Sequence, residues 1–135
     1  MAFTGNYTCN SFKSGLIDGD FDFDTDTFKI ALYTNSATLN ADTSAYTATG
    51  EVSASGYTAG GNTLTVSKGI TGGTSFISFT DTSWSAAITA RGALIYKDGG
   101  GSICVLDFGS DKTSTTTFTV DFPFASSTDA LIRLS

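Results

Sequence analysis

Histidine is absent from the chain, proline, tryptophan and methionine occur once each, and cysteine occurs twice in 135 residues. Without histidine no side chain ordinarily titrates near neutrality, and the commonest neutral metal ligand is missing. A Ser-His-Asp triad is excluded, and a cysteine nucleophile would lack its usual base. Cys9 and Cys104 are too far apart in sequence for a CxxC redox or zinc pattern. Cys104 lies in the apolar run Ile103-Cys104-Val105-Leu106, where a free thiol acts as a small buried hydrophobe; a Cys9–Cys104 disulfide is the alternative. Charge is scarce, at 15% of residues, and one-sided, with thirteen acidic against seven basic residues and a net charge of −6. No basic stripe exists to displace counterions from phosphates, so neither nucleic acid nor an anionic membrane is an expected partner. No apolar run approaches the ~18 residues of a membrane span. The opening Met-Ala-Phe-Thr-Gly-Asn-Tyr has no basic or apolar signal region, so export by the common route is not expected.

What is present is hydroxyl and glycine. Forty residues are Ser or Thr and fifteen are Gly, alongside eleven Phe and 40% hydrophobic residues overall. A core can be built from this, and the small hydroxylated remainder suits short strands joined by tight turns. The best strand pattern is Phe28-Lys29-Ile30-Ala31-Leu32-Tyr33, with Phe28, Ile30 and Leu32 on one face. Further strands are expected at Glu51–Ser53, Thr63–Val66, Ser75–Phe79, Arg91–Tyr96, Ile103–Phe108, Thr115–Phe122 and Ala130–Leu134. Gly60-Gly61-Asn62 and Asp98-Gly99-Gly100-Gly101 read as hairpin turns, and Gly72-Gly73 as a third turn. One short helix is expected near the start, capped by Asn10 or Ser11, carrying Phe12, Leu16 and Ile17 on one side and ended by Gly19. The expected fold is all-β: an antiparallel β-sandwich, jelly-roll or Ig-like, of about eight short strands with one N-terminal helix. Nothing in the composition divides the chain, so residues 1–135 are read as one domain, with residues 1–8 as a contact arm.

The acidic run Asp18-Gly19-Asp20-Phe21-Asp22-Phe23-Asp24-Thr25-Asp26 is the most distinctive local pattern. An EF-hand starting at Asp18 needs Gly at its sixth position and Glu at its twelfth, where Phe23 and Lys29 stand. The alternation instead reads as a strand edge with Phe21 and Phe23 inward and Asp20, Asp22 and Asp24 outward. A solvated face, a basic protein partner and a weak Ca²⁺ site are the three readings of it. Only Glu51 and scattered aspartates are available for carboxylate-pair chemistry, and the glycine pairs lack the Lys-Ser/Thr of a phosphate loop. The chain is read as non-enzymatic and without cofactor. Trp84 with Tyr33, Tyr46, Tyr57 and Tyr96 is either core or a sugar-stacking platform.

The blocks Phe28-Lys29-Ile30-Ala31-Leu32-Tyr33-Thr34, Ala45-Tyr46-Thr47, Gly50-Glu51-Val52 and Gly56-Tyr57-Thr58-Ala59-Gly60-Gly61 resemble those of a widespread group of tailed-phage virion proteins. Ala90-Arg91-Gly92-Ala93-Leu94-Ile95-Tyr96 and Leu106-Asp107-Phe108-Gly109 extend the likeness over nearly the whole chain. The resemblance implies a structural component of the virion: first a capsid decoration or cement protein, bound to the major capsid protein and to copies of itself on the capsid surface. A tail tube, fibre or adaptor, or a carbohydrate-binding module, is the alternative. It implies no catalytic residue. Phe3 and Tyr7 of the N-terminal arm, with Asp20, Asp22, Asp24 and Asp26, are the expected contact residues. Residues 2–7 are further expected to be dispensable for folding.

Overall fold

Phe28–Tyr33 carries Phe28, Ile30 and Leu32 on one face and Lys29, Ala31 and Tyr33 on the other, and all but Lys29 are buried, as in a strand in the middle of a sheet covered on both sides. The computed structural model describes residues 3–135 and places it there. The elements in order are β1 (Tyr7–Thr8), α1 (Asn10–Asp18), β2 (Phe28–Tyr33), β3 (Asn62–Leu64), β4 (Val66–Thr71), β5 (Thr74–Phe79), β6 (Thr82–Trp84), β7 (Thr89–Lys97), β8 (Ser102–Thr113), β9 (Phe118–Val120) and β10 (Ile132–Leu134). The central sheet has the order β1-β8-β7-β2-β3 and is antiparallel throughout.

A second layer covers one face of that sheet. It consists of a three-stranded sheet, β10-β5-β4, and a two-stranded one, β6-β9, both antiparallel. Between the layers lies the larger core, in which Phe28, Ile30, Leu32, Ala93, Ile95 and Ile103 meet Phe79, Trp84, Phe118 and Val120. The fold is an all-β antiparallel sandwich, as expected, with ten strands rather than about eight. The count rises because one long hairpin changes sheet part-way along and because Tyr7–Thr8 adds a strand at the edge of the central sheet. The hairpin's arms break at Thr65 and at Thr80–Asp81, where the Thr80 N–H still donates to the Thr65 carbonyl at 3.0 Å.

The other face of the central sheet is also covered, which the sequence reading did not anticipate. Ala31, Tyr33, Leu94, Tyr96 and Val105 point there and meet Phe3, Cys9, Ala37 and Leu39. Loop 34–50 and the N-terminal segment form this lid in place of a third sheet. The alternation of β2 thus supplies two cores, one from each parity of residue.

Three local expectations change. Glu51–Ser53 is not a strand; only Glu51 makes a bridge, to Tyr33. Gly60–Asn62 is not a hairpin turn, because β3 pairs with β2 and not with the segment before it. Gly61 is nonetheless obligatory: it has φ +80°, and a β-carbon there would overlap the Ile30 carbonyl. The helix is present and ends at Gly19 in the left-handed conformation, but its N-cap is Cys9, with no side-chain cap bond. Phe12 is its only large buried side chain, while Leu16 and Ile17 face solvent. The Asp98–Gly101 turn closes the β7–β8 hairpin as expected, and the Gly72-Gly73 turn closes a β4–β5 hairpin whose first strand, Val66–Thr71, was expected only at Val66.

Register also decides the cysteines. Thr8 sits opposite Cys104, so Cys104 faces the larger core, while Cys9, one residue further on, faces the smaller. Both are free thiols. Burial pushes each thiol upward in pKa.

Candidate functional site

Three polar constellations stand out on this scaffold. The first is the acidic run. Residues 20–26 are not a strand but a turn, and the alternation survives inside it: Phe21 and Phe23 are half-buried while Asp20, Asp22 and Asp24 are exposed. The anchoring is aromatic. Phe21 and Phe23 pack edge-on against Phe12 at 5.1 and 6.1 Å, and Phe23 stacks on Phe28 at 4.6 Å. The aspartates then fix the turn. The Asp22 N–H donates to Asp26 Oδ2 at 2.8 Å, and the Asp24 N–H donates to Asp22 Oδ1 at 2.9 Å. Lys97 Nζ lies 3.1 Å from Asp26 and donates to the Asp20 carbonyl, while Lys68 lies 2.9 Å from Asp24. Backbone donors hold the Asp22 and Asp26 carboxyls below the usual carboxylate pKa, with Lys97 assisting at Asp26. Among the described residues no three acidic or thiol groups converge on a point that could hold a metal ion. Asp22, Asp24 and Asp26 spend their carboxylates on the backbone of the run and on two lysines.

The second constellation fastens the N-terminus. Phe3 is buried in the smaller core, beneath the Arg91 guanidinium at 5.8 Å. Arg91 and Asp107 form an ion pair of 3.0 Å that is itself nearly buried. The Asp107 N–H donates to Asn6 Oδ1 at 2.6 Å, and β1 then joins the sheet edge. Gly92 makes room for this: a β-carbon there would run into the Phe3 ring and the Leu106 carbonyl. Residues 3–8 are therefore part of the body and not a projecting arm, which corrects the expectation for Phe3. Tyr7 is half-buried on the sheet edge, with its hydroxyl 2.5 Å from Thr4 Oγ1. Ala2 lies outside the described residues. The arm misread as free was a Phe that a hydrophobic pocket required; the glycine that makes room for it, Gly92, is distant in sequence.

The third constellation was missed altogether. Glu51 accepts hydrogen bonds from Tyr46 Oη at 2.6 Å, from Tyr57 Oη at 2.6 Å and from the Gly60 N–H at 2.8 Å. Tyr57 Oη also accepts the Leu32 N–H at 2.9 Å. That bond completes the outer ladder of β2. The neighbouring chain leaves β2 after Val52, whose N–H donates to the Leu32 carbonyl, and returns only at Asn62 opposite Ile30. The phenol stands in for the missing strand. Tyr33 donates to the Thr47 carbonyl at 2.7 Å and Tyr96 to the Gly60 carbonyl at 2.6 Å, and Tyr46 stacks on Tyr96 at 5.1 Å. Burial and the Glu51 charge raise all four tyrosines in pKa, Tyr46 to about 12. Tyr33, Tyr57, Tyr96 and Trp84 are buried, so these rings are core and not a sugar platform.

Comparison with protein-family models, curated proteins and solved structures finds no match for the chain. The geometry has to speak for itself. Glu51 is committed to three donors and Asp107 to Arg91, so these two half-buried carboxylates serve the fold. What is left on the outside is the anchored acidic turn, a surface of fixed shape and negative charge.

Proposed function

We propose that this chain is a non-enzymatic structural protein of a tailed-phage virion, a capsid decoration protein that binds the outer surface of the major capsid shell. The observation that carries the reading is the anchored turn 20–26. Its exposed Asp22 and Asp24 are held by hydrogen bonds, an ion pair and two half-buried phenyl rings, so little ordering entropy remains to be lost when a partner docks. Preorganised charge of one sign steers encounter and fixes register more than it adds affinity. A decoration protein docks at many equivalent sites, where modest contacts accumulate strength. Net negative charge and a hydroxyl-rich surface keep it soluble before assembly. The sequence blocks that resemble virion proteins include the strands of the central sheet, β2, β7 and β8.

The test is cryo-electron microscopy of the intact virion with this fold fitted to the density. An ordered array over the shell, with turn 20–26 against basic capsid loops, is the expected result. A stacked ring or a few copies on the tail overturns the capsid assignment.

A further inference from the structure

We propose that Asp98 isomerises to isoaspartate through a cyclic imide formed with the Gly99 amide nitrogen, and that the fold confines this chemistry to Asp98. The sequence offers the reaction twice, at Asp18-Gly19 and at Asp98-Gly99. Glycine after the aspartate makes both sites candidates, since no side chain hinders the nitrogen's approach to the carboxyl carbon. All four residues are exposed. Local sequence and exposure therefore do not choose between the two sites.

The backbone does. Asp18 is the last residue of α1, and the Gly19 N–H donates to the Gly15 carbonyl. The Asp20 N–H reaches the same carbonyl at 2.9 Å, which fastens the turn from its far side. For the Gly19 nitrogen to react, that last turn has to open first. Gly99 lies in the β7–β8 turn at φ +75°, and a β-carbon placed on it would meet nothing within 4 Å. Its N–H makes no hydrogen bond among the described residues, although both neighbours do: the Asp98 N–H donates to the Thr27 carbonyl at 2.8 Å and the Gly100 N–H to the Lys97 carbonyl at 2.9 Å. The Asp98 carboxylate makes no ion pair among the described residues. Nucleophile and electrophile are thus adjacent, unengaged and in open space, in a turn whose three glycines let the backbone move.

The reaction needs only water. The Gly99 nitrogen bonds to Asp98 Cγ, and the amide proton leaves with the hydroxyl of the protonated carboxyl as one water. Water then adds back to the imide. Cleavage between the Gly99 nitrogen and the Asp98 backbone carbonyl carbon leaves the chain running through Cβ and Cγ, one carbon longer than before. That carbon falls between Lys97 and Gly101, whose N–H and carbonyl close the hairpin at 2.9 Å. Lys97 also holds turn 20–26, through Asp26 and the Asp20 carbonyl. Isomerisation is therefore expected to loosen that turn.

Peptide mapping of the folded full chain after weeks at neutral pH and physiological temperature tests this, with enzymatic methylation of isoaspartyl carboxyls as the readout. Isoaspartate is expected at Asp98 at least about tenfold above Asp18, equivalent to ~1.4 kcal/mol against opening of the last turn of α1. In urea the two sites should convert at similar rates, because only the fold separates them. Asp98→Glu keeps the charge on an exposed side chain but demands a larger ring, so the signal at this position should be lost with the circular dichroism unchanged. The isomerised chain should exchange the Asp22 and Asp24 amides faster than the fresh one; unchanged exchange overturns the link to turn 20–26. Equal conversion at both sites in the folded protein, or an Asp98 that stays intact while a synthetic peptide of residues 94–102 converts, overturns the inference itself.

Discussion

Replacing Tyr57 by Phe removes one oxygen and tests how the central sheet is completed. That oxygen accepts the Leu32 N–H and donates to Glu51 Oε2. Leu32 is wholly buried and its N–H faces the gap between Val52 and Asn62, so no backbone acceptor stands ready to replace the phenol. Leaving a buried donor unpaired costs about 1–3 kcal/mol, and a hydrogen bond to a charged acceptor contributes about 1.5–3 kcal/mol. Glu51 keeps two of its three donors, which offsets part of the second term. The expected net loss is ~2–4 kcal/mol, or a fall in melting temperature of roughly 8–15 °C for a chain of this size. Tyr33→Phe is the internal control. It removes one hydroxyl that donates to a single carbonyl, that of Thr47, and should cost only about 1 kcal/mol. Urea unfolding of the two variants reads the difference directly. Equal losses, or a loss under ~1 kcal/mol for Tyr57→Phe, would refute the idea that a phenol substitutes for a strand.

Raising the pH should attack the same cluster. The folded tyrosines hold their protons more tightly than unfolded ones, so their contribution is complete below pH ~10 and is lost as pH climbs from there through the folded values, about 12 for Tyr46. Phenolate absorbance from these rings should therefore rise together with unfolding, and its appearance in a still-folded protein would contradict their burial. At the acid end, Asp22 and Asp26 have depressed pKa values, so the order they give turn 20–26 is present above pH ~4 and fades as pH falls through the lower folded values. Amide exchange at Asp22 and Asp24 should accelerate there before the sheets open; unchanged protection would show that the phenyl anchors alone hold the turn. Phe3→Ala should destabilise by about 3–5 kcal/mol, since the ring is fully buried beneath Arg91. A near-neutral result in a thermal melt would restore the segment as a free arm. Gly61→Ala should be at least as damaging, because the Ile30 carbonyl occupies the space of the added methyl, and a stable, soluble variant would show that this approach relaxes.

The sequence alone determined the features that depend on neighbours along the chain. Period-two alternation placed β2, β5, β7 and β8, and the glycine turns at Gly72-Gly73 and Asp98–Gly101 joined their hairpins, because strand faces and tight turns are written within a few residues. Phe21 and Phe23 were legible as inward for the same reason, although the segment proved to be a turn. Tertiary structure decided what involves distant partners. Whether one face of β2 or both were covered depended on loop 34–50 and Phe3 arriving over Ala31 and Tyr33. Leu16 and Ile17 fit a helix face by spacing, yet Phe12 alone reached the core. Glu51 looked like a lone acid in a short strand; only the fold brought Tyr46, Tyr57 and Gly60 to it, and let Tyr57 close a ladder twenty-five residues away at Leu32. A side chain that replaces a missing strand leaves no periodic trace, because the gap it fills exists only once the sheet has formed.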